Sequence, residues 1–221
     1  MNGILVINKP AGITSHDVVD IIREKFKIKK VGHTGTLDPM ATGVLVVLLG
    51  RATRLSATFI NDDKEYRATL FFGRRTDTQD STGRVIEERP VNGLDIDDVK
   101  GALDAFLGEI EQVPPMVSAK KYKGKKLYQL ARKGKSIERR PCRIRIHEIE
   151  LLDFKLPEIV FRVRCSKGTY VRTLCEDIGH LLKNPAHMSA LTRTRSGRFS
   201  LEQSCDLETV TEKDIFHLTS K

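Results

Sequence analysis

A chain of 221 residues, 39% of them hydrophobic, can bury a proper core as one large domain or two small ones without disulfide or metal staples. No apolar run approaches the roughly 20 residues that span a bilayer, and residues 1–10 carry no signal-peptide architecture, so a cytoplasmic protein is expected. The net charge of +9 points to an anionic partner, and four cysteines (Cys142, Cys165, Cys175, Cys205), without C-x-x-C spacing or grouped histidines, read as reduced structural thiols, not a metal site.

In chain order, residues 3–8 read as a short buried strand ended by the turn Asn8-Lys9-Pro10-Ala11-Gly12. A helix over 15–26 follows, with Thr14 and Asp17 at capping-box spacing and an apolar stripe of Val18, Val19, Ile21, Ile22 and Phe26. Residues 32–43, Gly-His-Thr-Gly-Thr-Leu-Asp-Pro-Met-Ala-Thr-Gly, place one carboxylate, Asp38, on a glycine-punctuated loop, where Pro39 restricts it to extended or turn geometry. Loops on rigid scaffolds carry chemistry, whereas an isolated Asp-Pro would read as a structural Asx-turn. A strand over 44–49, a short helix over 52–60, a strand over 64–72, a polar loop over 73–83 and a helix opening at Asp97 and running through Val99, Leu103, Phe106 and Leu107 come next.

Pro114-Pro115 breaks the chain before an insertion over 114–141, part helical around 127–132. Residues 120–145 hold twelve Lys or Arg and one acid, a net charge of +11 against −2 for the rest of the chain, which suits a nucleic acid better than a membrane because no apolar face is sustained. Tyr122 and Tyr128 interleave with these lysines, where they can stack on bases or cover the base of a loop. Strands near 143–153 and 158–166, a helix from Tyr170 to Lys183 and a strand near 187–199 complete the chain. Without regular β-α-β alternation the fold class is α+β, with a mixed, largely antiparallel sheet flanked by helices.

The string around Asp38 resembles the catalytic loop of the TruB family of pseudouridine synthases, and further stretches match that family in order. Asn8 to Ser15 resembles its opening motif, mostly scaffolding, with Lys9 a candidate substrate contact. Lys64 to Ala68 resembles the strand that presents an active-site tyrosine, here Tyr66, and Gly73 to Asp80 resembles an acidic loop near the substrate, with Asp80 its candidate residue. Cys165 to Arg172 resembles the motif with a second tyrosine, Tyr170, and the arginine, Arg172, that pairs with the catalytic aspartate; Ala190 to Gly197 resembles the strand whose leucine, Leu191, lines the uracil pocket.

The resemblance implies the pseudouridine synthase fold and isomerisation of uridine 55 in the T-loop of tRNA by a monomer, without guide RNA, metal or cofactor. It makes the insertion over 114–141 a basic thumb on the T-arm, with Lys120, Lys121, Lys123, Lys125, Lys126, Arg132, Lys133, Arg139 and Arg140 as RNA contacts. Most bacterial members continue into a small C-terminal RNA-binding module; this chain, ending at Lys221, is expected to be a single catalytic domain over 1–221 without that PUA-like module.

In the reaction the N1–C1′ bond breaks, the uracil turns and C5 bonds to C1′. Asp38 acts as nucleophile at C1′, as base at C2′ on a glycal route, or as nucleophile at C6, and all three routes remain open. Each needs an ionised carboxylate in a nearly dry pocket, for which Arg172 supplies the cation. Tyr66 stacks on the extruded base and relays the C5 proton, Tyr170 forms the opposite wall, and His33 occupies the gap left by the flipped base. The alternatives are a non-catalytic protein that binds and folds tRNA, or a synthase for another RNA.

Overall fold

The computed structural model describes residues 1–217 apart from 92, 119, 123, 132, 133 and 136; at 121, 122, 125, 126 and 131 it describes the backbone alone. The backbone forms two compact units, Met1–Arg67 with Leu191–Lys221, and Ala68–Ala190.

In the first unit β1 (Gly3–Lys9) turns into α1 (Ser15–Lys25). The expected capping box is present: Asp17 N–H donates to Thr14 Oγ1 at 3.1 Å, and Thr14 N–H donates to the Asp17 carboxylate at 2.7 Å. A short strand the sequence reading left out, β2 (Val31–His33), pairs antiparallel with the far end of β3 (Thr42–Leu49), Val31 opposite Leu49. Three residues are too few for a period to show. β1 and β3 pair antiparallel along their whole length, and both faces of the ladder are buried. Leu5, Ile7, Leu45, Val47 and Leu49 pack with Val18 and Ile22 of α1, while Ile4, Val6, Val44, Val46 and Leu48 pack with Ala52 and Phe199. Burial on two faces is why these strands are continuous apolar runs instead of alternating ones. The helix expected over 52–60 begins as a 3₁₀ turn, Gly50–Leu55, and becomes α2 (Ser56–Ile60). β4 (Lys64–Phe72) then alternates, with Lys64, Tyr66, Ala68, Leu70 and Phe72 buried.

In the second unit the expected loop over 73–83 opens with a strand, β5 (Arg74–Thr76), paired antiparallel with β6 (Val85–Glu88). The charged residues that read as loop are its cross-strand pairs: Arg74 faces Glu88 at 2.8 Å and Arg75 faces Glu87 at 3.0 Å. α3 (Ile96–Asp104) is capped by Asp95, whose carboxylate accepts from Asp97 N–H and Asp98 N–H, so the helix opens before Asp97 and ends before Phe106 and Leu107. β7 (Gly108–Gln112) follows, and within the insertion β8 (Lys121–Tyr122) pairs antiparallel with β9 (Lys125–Lys126) ahead of α4 (Leu127–Ala131). β10 (Cys142–Lys155) lies between β7 and β11 (Glu158–Cys165), antiparallel to both. α5 (Val171–Leu181) buries Val171, Leu174, Cys175 and Ile178, the i, i+3, i+4, i+7 stripe of an amphipathic helix.

β12 (Ala186–Ser196) returns the chain to the first unit, where Thr192 and Arg193 pair in parallel with Thr42 and Gly43. β13 (Phe199–Ser200) folds back on β12, and β14 (Cys205–Asp206) runs parallel to β1. The α+β class with mixed, largely antiparallel pairing is as expected. Among the described residues no helix is long and apolar enough to cross a membrane.

Candidate active site

Residues 34–41 have no regular structure, yet their backbone is held at Gly35, Leu37 and Pro39 by buried side chains of the first unit. Ser15, itself 1% exposed, brackets Leu37: its hydroxyl accepts from Leu37 N–H at 2.8 Å and donates to Leu37 C=O at 3.1 Å. Arg193, 2% exposed, donates from Nε to the Val44 carbonyl at 2.7 Å and from Nη2 to the Gly35 carbonyl at 3.1 Å. Gly12 N–H donates to Pro39 C=O at 2.8 Å, and Ala41 N–H closes the turn on Asp38 C=O at 3.0 Å. Asp38 is therefore presented, half-buried, on a loop whose main chain is fixed on both sides of it. Ser15 and Arg193 lie inside the stretches that carried the resemblance, but nothing local to them signals a partner 22 or 158 positions away.

Lys9, expected at the substrate, has no exposed surface, and its ammonium donates to the carbonyls of Pro10 at 2.7 Å, Ile13 at 2.8 Å and Pro39 at 3.2 Å. An ammonium has three protons, so the side chain is committed to holding the loop. Burial pushes its pKa down to about 8; the Asp38 carboxylate opposes that fall and the Arg193 charge adds to it. Below pH 8 the lysine is charged in both folded and unfolded chains, and the folded chain bears the cost of burying it. Between pH 8 and 10.5 the folded chain has released the proton that the unfolded chain keeps, so this group makes stability rise with pH, by about 3 kcal/mol in all. Urea unfolding at pH 7.5 and pH 10 should therefore show wild type gaining on Lys9→Met; a stability difference independent of pH would refute the assignment.

The other expected residues of this unit sit close along the chain or across the sheet. His33 ends β2 and its Nδ1 accepts from Gly35 N–H at 3.4 Å. Leu191, 8% exposed, is fixed through its carbonyl, which accepts from Thr42 Oγ1 at 3.5 Å, four residues past Asp38. Tyr66 is 9% exposed on β4, two residues after Lys64, whose side chain reaches Gly35 of the loop.

In the second unit the structure groups Asp80, Tyr170 and Arg172. Asp80 is no solvated turn residue: it is 3% exposed, and its Oδ1 accepts from Thr78 Oγ1 at 2.7 Å, Thr82 N–H at 2.9 Å and Thr82 Oγ1 at 2.6 Å. Its Oδ2 faces Arg172 Nη1 at 3.4 Å, an ion pair in which both side chains are 4% exposed. Arg172 also donates from Nη2 to the Val117 carbonyl at 2.5 Å, at the root of the basic insertion. The loop bearing Asp80 is laid against β12 by Ser81 N–H to Met188 C=O and Met188 N–H to Gln79 C=O, both 3.0 Å. Gln79 Oε1 in turn accepts from Thr173 Oγ1 at 2.8 Å, next to Arg172.

Tyr170 stands at the N-cap of α5 with no side-chain cap of its own. Gln112, 2% exposed at the end of β7, takes over: its Oε1 accepts Tyr170 N–H at 2.8 Å and its Nε2 donates to Tyr170 C=O at 3.1 Å. Sequence reasoning missed this residue because its partner is 58 positions away. Gln112→Ala leaves the Tyr170 N–H unmatched and its carbonyl with the Leu174 N–H alone, at a cost of about 1 to 2 kcal/mol in chemical unfolding, and Gln112→Glu, which keeps the acceptor and loses the donor, should fall between. Equal stability of all three proteins would refute this.

Of the expected RNA contacts, Lys123, Arg132 and Lys133 lie outside the described residues, and Lys121, Lys125 and Lys126 are described only as backbone of the β8–β9 pair. Lys120 and Arg140 are exposed. Arg139 is half-buried, and its Nη1 donates to Pro114 C=O at 3.2 Å, closing the neck of the insertion. Leu127 is buried, with its N–H on Lys120 C=O at 2.9 Å, and Tyr128 N–H donates to Ser118 C=O at 3.0 Å. The four cysteines are free; burial pushes the Cys205 thiol up to about 11 and the Cys175 thiol further still. No group of three or more His, Cys, Asp or Glu placed to hold a metal occurs among the described residues.

Comparison with known proteins gives these residues a context. Residues 23–171 match the TruB family pseudouridylate synthase N-terminal domain, and residues 172–219 match the tRNA pseudouridylate synthase B C-terminal domain. The chain is 50% identical over 215 residues to tRNA pseudouridine synthase B of Clostridium tetani, covering 97% of this chain and 74% of that protein. It is 54% identical over 211 residues to the protein of the same name from Symbiobacterium thermophilum, covering 94% and 71%. Among solved structures, a chain of a Cbf5-Nop10-Gar1 complex superposes with a TM-score of 0.74 at 33% identity over 93% of this chain, which spans about half, 52%, of that one. The chain belongs to the TruB family of pseudouridylate synthases.

Proposed function

We propose that the protein isomerises uridine to pseudouridine in tRNA, acting on uridine 55 of the T-loop as a monomer and without a guide RNA. The observation that carries the reading is a carboxylate, Asp38, held on a main chain fixed by Ser15, Lys9 and Arg193, in a chain half identical to proteins named tRNA pseudouridine synthase B. Fixed geometry is what the chemistry asks for: the base must be cut from C1′, turned and rejoined without escaping, so the reacting group cannot wander. On this reading Asp38 attacks or deprotonates the nucleotide, Tyr66 stacks on the flipped uracil and relays the C5 proton, and Leu191 and Tyr170 line the uracil. His33 fills the vacated stack. Arg172, held by Asp80 and the Val117 carbonyl, supplies the permanent positive charge, and the exposed cations of the insertion, Lys120 and Arg140 among them, meet the T-arm phosphates.

The test is a T-arm hairpin tritiated at C5 of its uridines. Forming a C5–C1′ bond expels the C5 hydrogen, so release of one tritium per hairpin, with pseudouridine mapped to position 55, is the expected result. Tight binding without release would favour the alternative, a non-catalytic tRNA-binding protein on the same scaffold; release mapped elsewhere would favour another RNA target.

A further inference from the structure

We infer that the first unit carries a second RNA-binding surface, separate from the insertion and built from Lys27, Lys29, Lys30, Arg51 and Arg54, that takes the phosphate backbone of the RNA away from the target loop. The inference rests on the proposed tRNA substrate and adds where else that substrate is gripped. Whole-chain arithmetic hides the patch, because everything outside 120–145 sums to −2. Yet residues 25–36 and 50–61 contain six Lys or Arg and no carboxylate.

The fold puts these two segments side by side. Gly50 N–H donates to Lys30 C=O at 2.8 Å, and Val31 lies opposite Leu49, so the lysines that precede β2 adjoin the arginines that follow β3. Arg51 and Arg54 are three apart on a 3₁₀ turn and project from the same side. Lys25 is engaged elsewhere, its ammonium on the Glu208 carbonyl at 2.7 Å. The other five are exposed, and among the described residues none of them forms an ion pair. Some exposed arginines elsewhere, such as Arg74 and Arg89, are answered by a glutamate and others, such as Arg67 and Arg198, stand in no ion pair among the described residues; what sets this patch apart is five such cations on two adjoining segments that contain no carboxylate.

Lys27 sits at φ 54°, just past the end of α1, in the left-handed position that glycine fills without strain, a geometry that Lys183 repeats past the end of α5. A lysine there costs about 1 kcal/mol in backbone energy, and five unanswered cations repel one another besides. The α1 dipole accounts for a cation at Lys27, and it leaves Lys29, Lys30, Arg51 and Arg54 unexplained. Phe26, Ile28 and Val31, the apolar residues between the lysines, pack inward on the core, so the face offers nothing for a membrane to hold. A polyphosphate backbone remains as the fitting partner.

Position narrows it further. β3 leaves the Asp38 loop at Thr42 and reaches the patch at Leu49, seven residues later. At about 3.3 Å per residue that is roughly 23 Å, beyond the span of a flipped nucleotide and its neighbours.

The experiment neutralises the patch in the full chain, Lys29→Gln with Lys30→Gln and Arg51→Gln, and measures binding of unmodified tRNA over a potassium chloride series. The expected result is a dissociation constant raised roughly tenfold or more near 0.15 M salt and a log–log salt slope shallower by about two to three, with turnover at saturating tRNA unchanged. The conservative set Lys29→Arg with Lys30→Arg should keep the wild-type slope, which separates lost phosphate contacts from a damaged fold. An unchanged slope in the neutral variant would overturn the inference, whatever happens to affinity. Because binding is read without turnover, a protein that binds tRNA through the patch but releases no tritium would leave the inference standing and the catalytic reading refuted. A wild type with no salt-dependent tRNA binding would refute both.

Discussion

Asp38→Asn abolishes tritium release from the T-arm hairpin, by at least about a thousandfold or about 4 kcal/mol of barrier, while tRNA affinity and the unfolding midpoint stay close to wild type. The amide has the size of the carboxylate but neither its charge nor its basicity, so nucleophilic attack and proton abstraction fail together whichever route the reaction takes. The main chain of the loop is fixed by bonds that do not use that carboxylate, from the Ser15 hydroxyl, the Arg193 guanidinium, the Lys9 ammonium and Gly12 N–H, and it is closed by Ala41 N–H on Asp38 C=O. One electrostatic consequence is expected, since the Asp38 carboxylate raises the pKa of Lys9, and its loss should lower that pKa further below 8. Turnover within tenfold of wild type would remove Asp38 from the chemistry, and a large loss of RNA affinity would mean that its role is in binding instead.

Gly43→Ala is expected to cost about 3 kcal/mol or more and to take activity with it. Gly43 has φ 97°, and a Cβ there would lie 2.3 Å from the Arg193 carbonyl oxygen and 2.9 Å from the Arg193 nitrogen. Both are backbone atoms of the strand that pairs in parallel with Gly43, so no rotamer change relieves the contact; β12 itself must move. Arg193 would move with it, and its guanidinium holds the carbonyls of Gly35 and Val44 at the two ends of the Asp38 loop. Gly12→Ala is the control. Gly12 has φ 88° but nothing within 4 Å of an added Cβ, so backbone strain of about 1 kcal/mol acts there alone. Urea unfolding of the two variants separates clash from strain, and equal losses at the two positions would refute the steric account.

What could be read from the sequence was what is written locally. The Thr14–Asp17 capping box, the apolar runs of β1 and β3, and the stripe of α5 each announce themselves within a dozen residues, and the Asp38 loop does so by its glycines and proline. The missed elements are short or disguised. β2 has three residues, β7 alternates Glu with Ile at an exposed edge, and β5 and β6 present charges that make sense only when Arg74 meets Glu88 and Arg75 meets Glu87. Partner choice was the least legible part. That Lys9 serves the loop through Pro39, that Gln112 stands behind Tyr170 and that Asp80 answers Arg172 depend on neighbours 30, 58 and 92 positions away. No local pattern encodes such pairings; a motif places a residue type in the chain and leaves its contacts to the fold.

The clamped loop also fixes when its ordering entropy is lost. Freezing an eight-residue irregular segment costs on the order of 1 to 2 kcal/mol per residue of backbone freedom. Because Ser15, Lys9 and Arg193 make their bonds to residues 34–41 within the first unit, that entropy is surrendered once, as the chain folds. A mobile loop would surrender it at every turnover, out of the affinity for RNA. The protein therefore meets each tRNA with the carboxylate already placed, and the free energy of docking is left for the substrate's own rearrangement, the unstacking of one uridine.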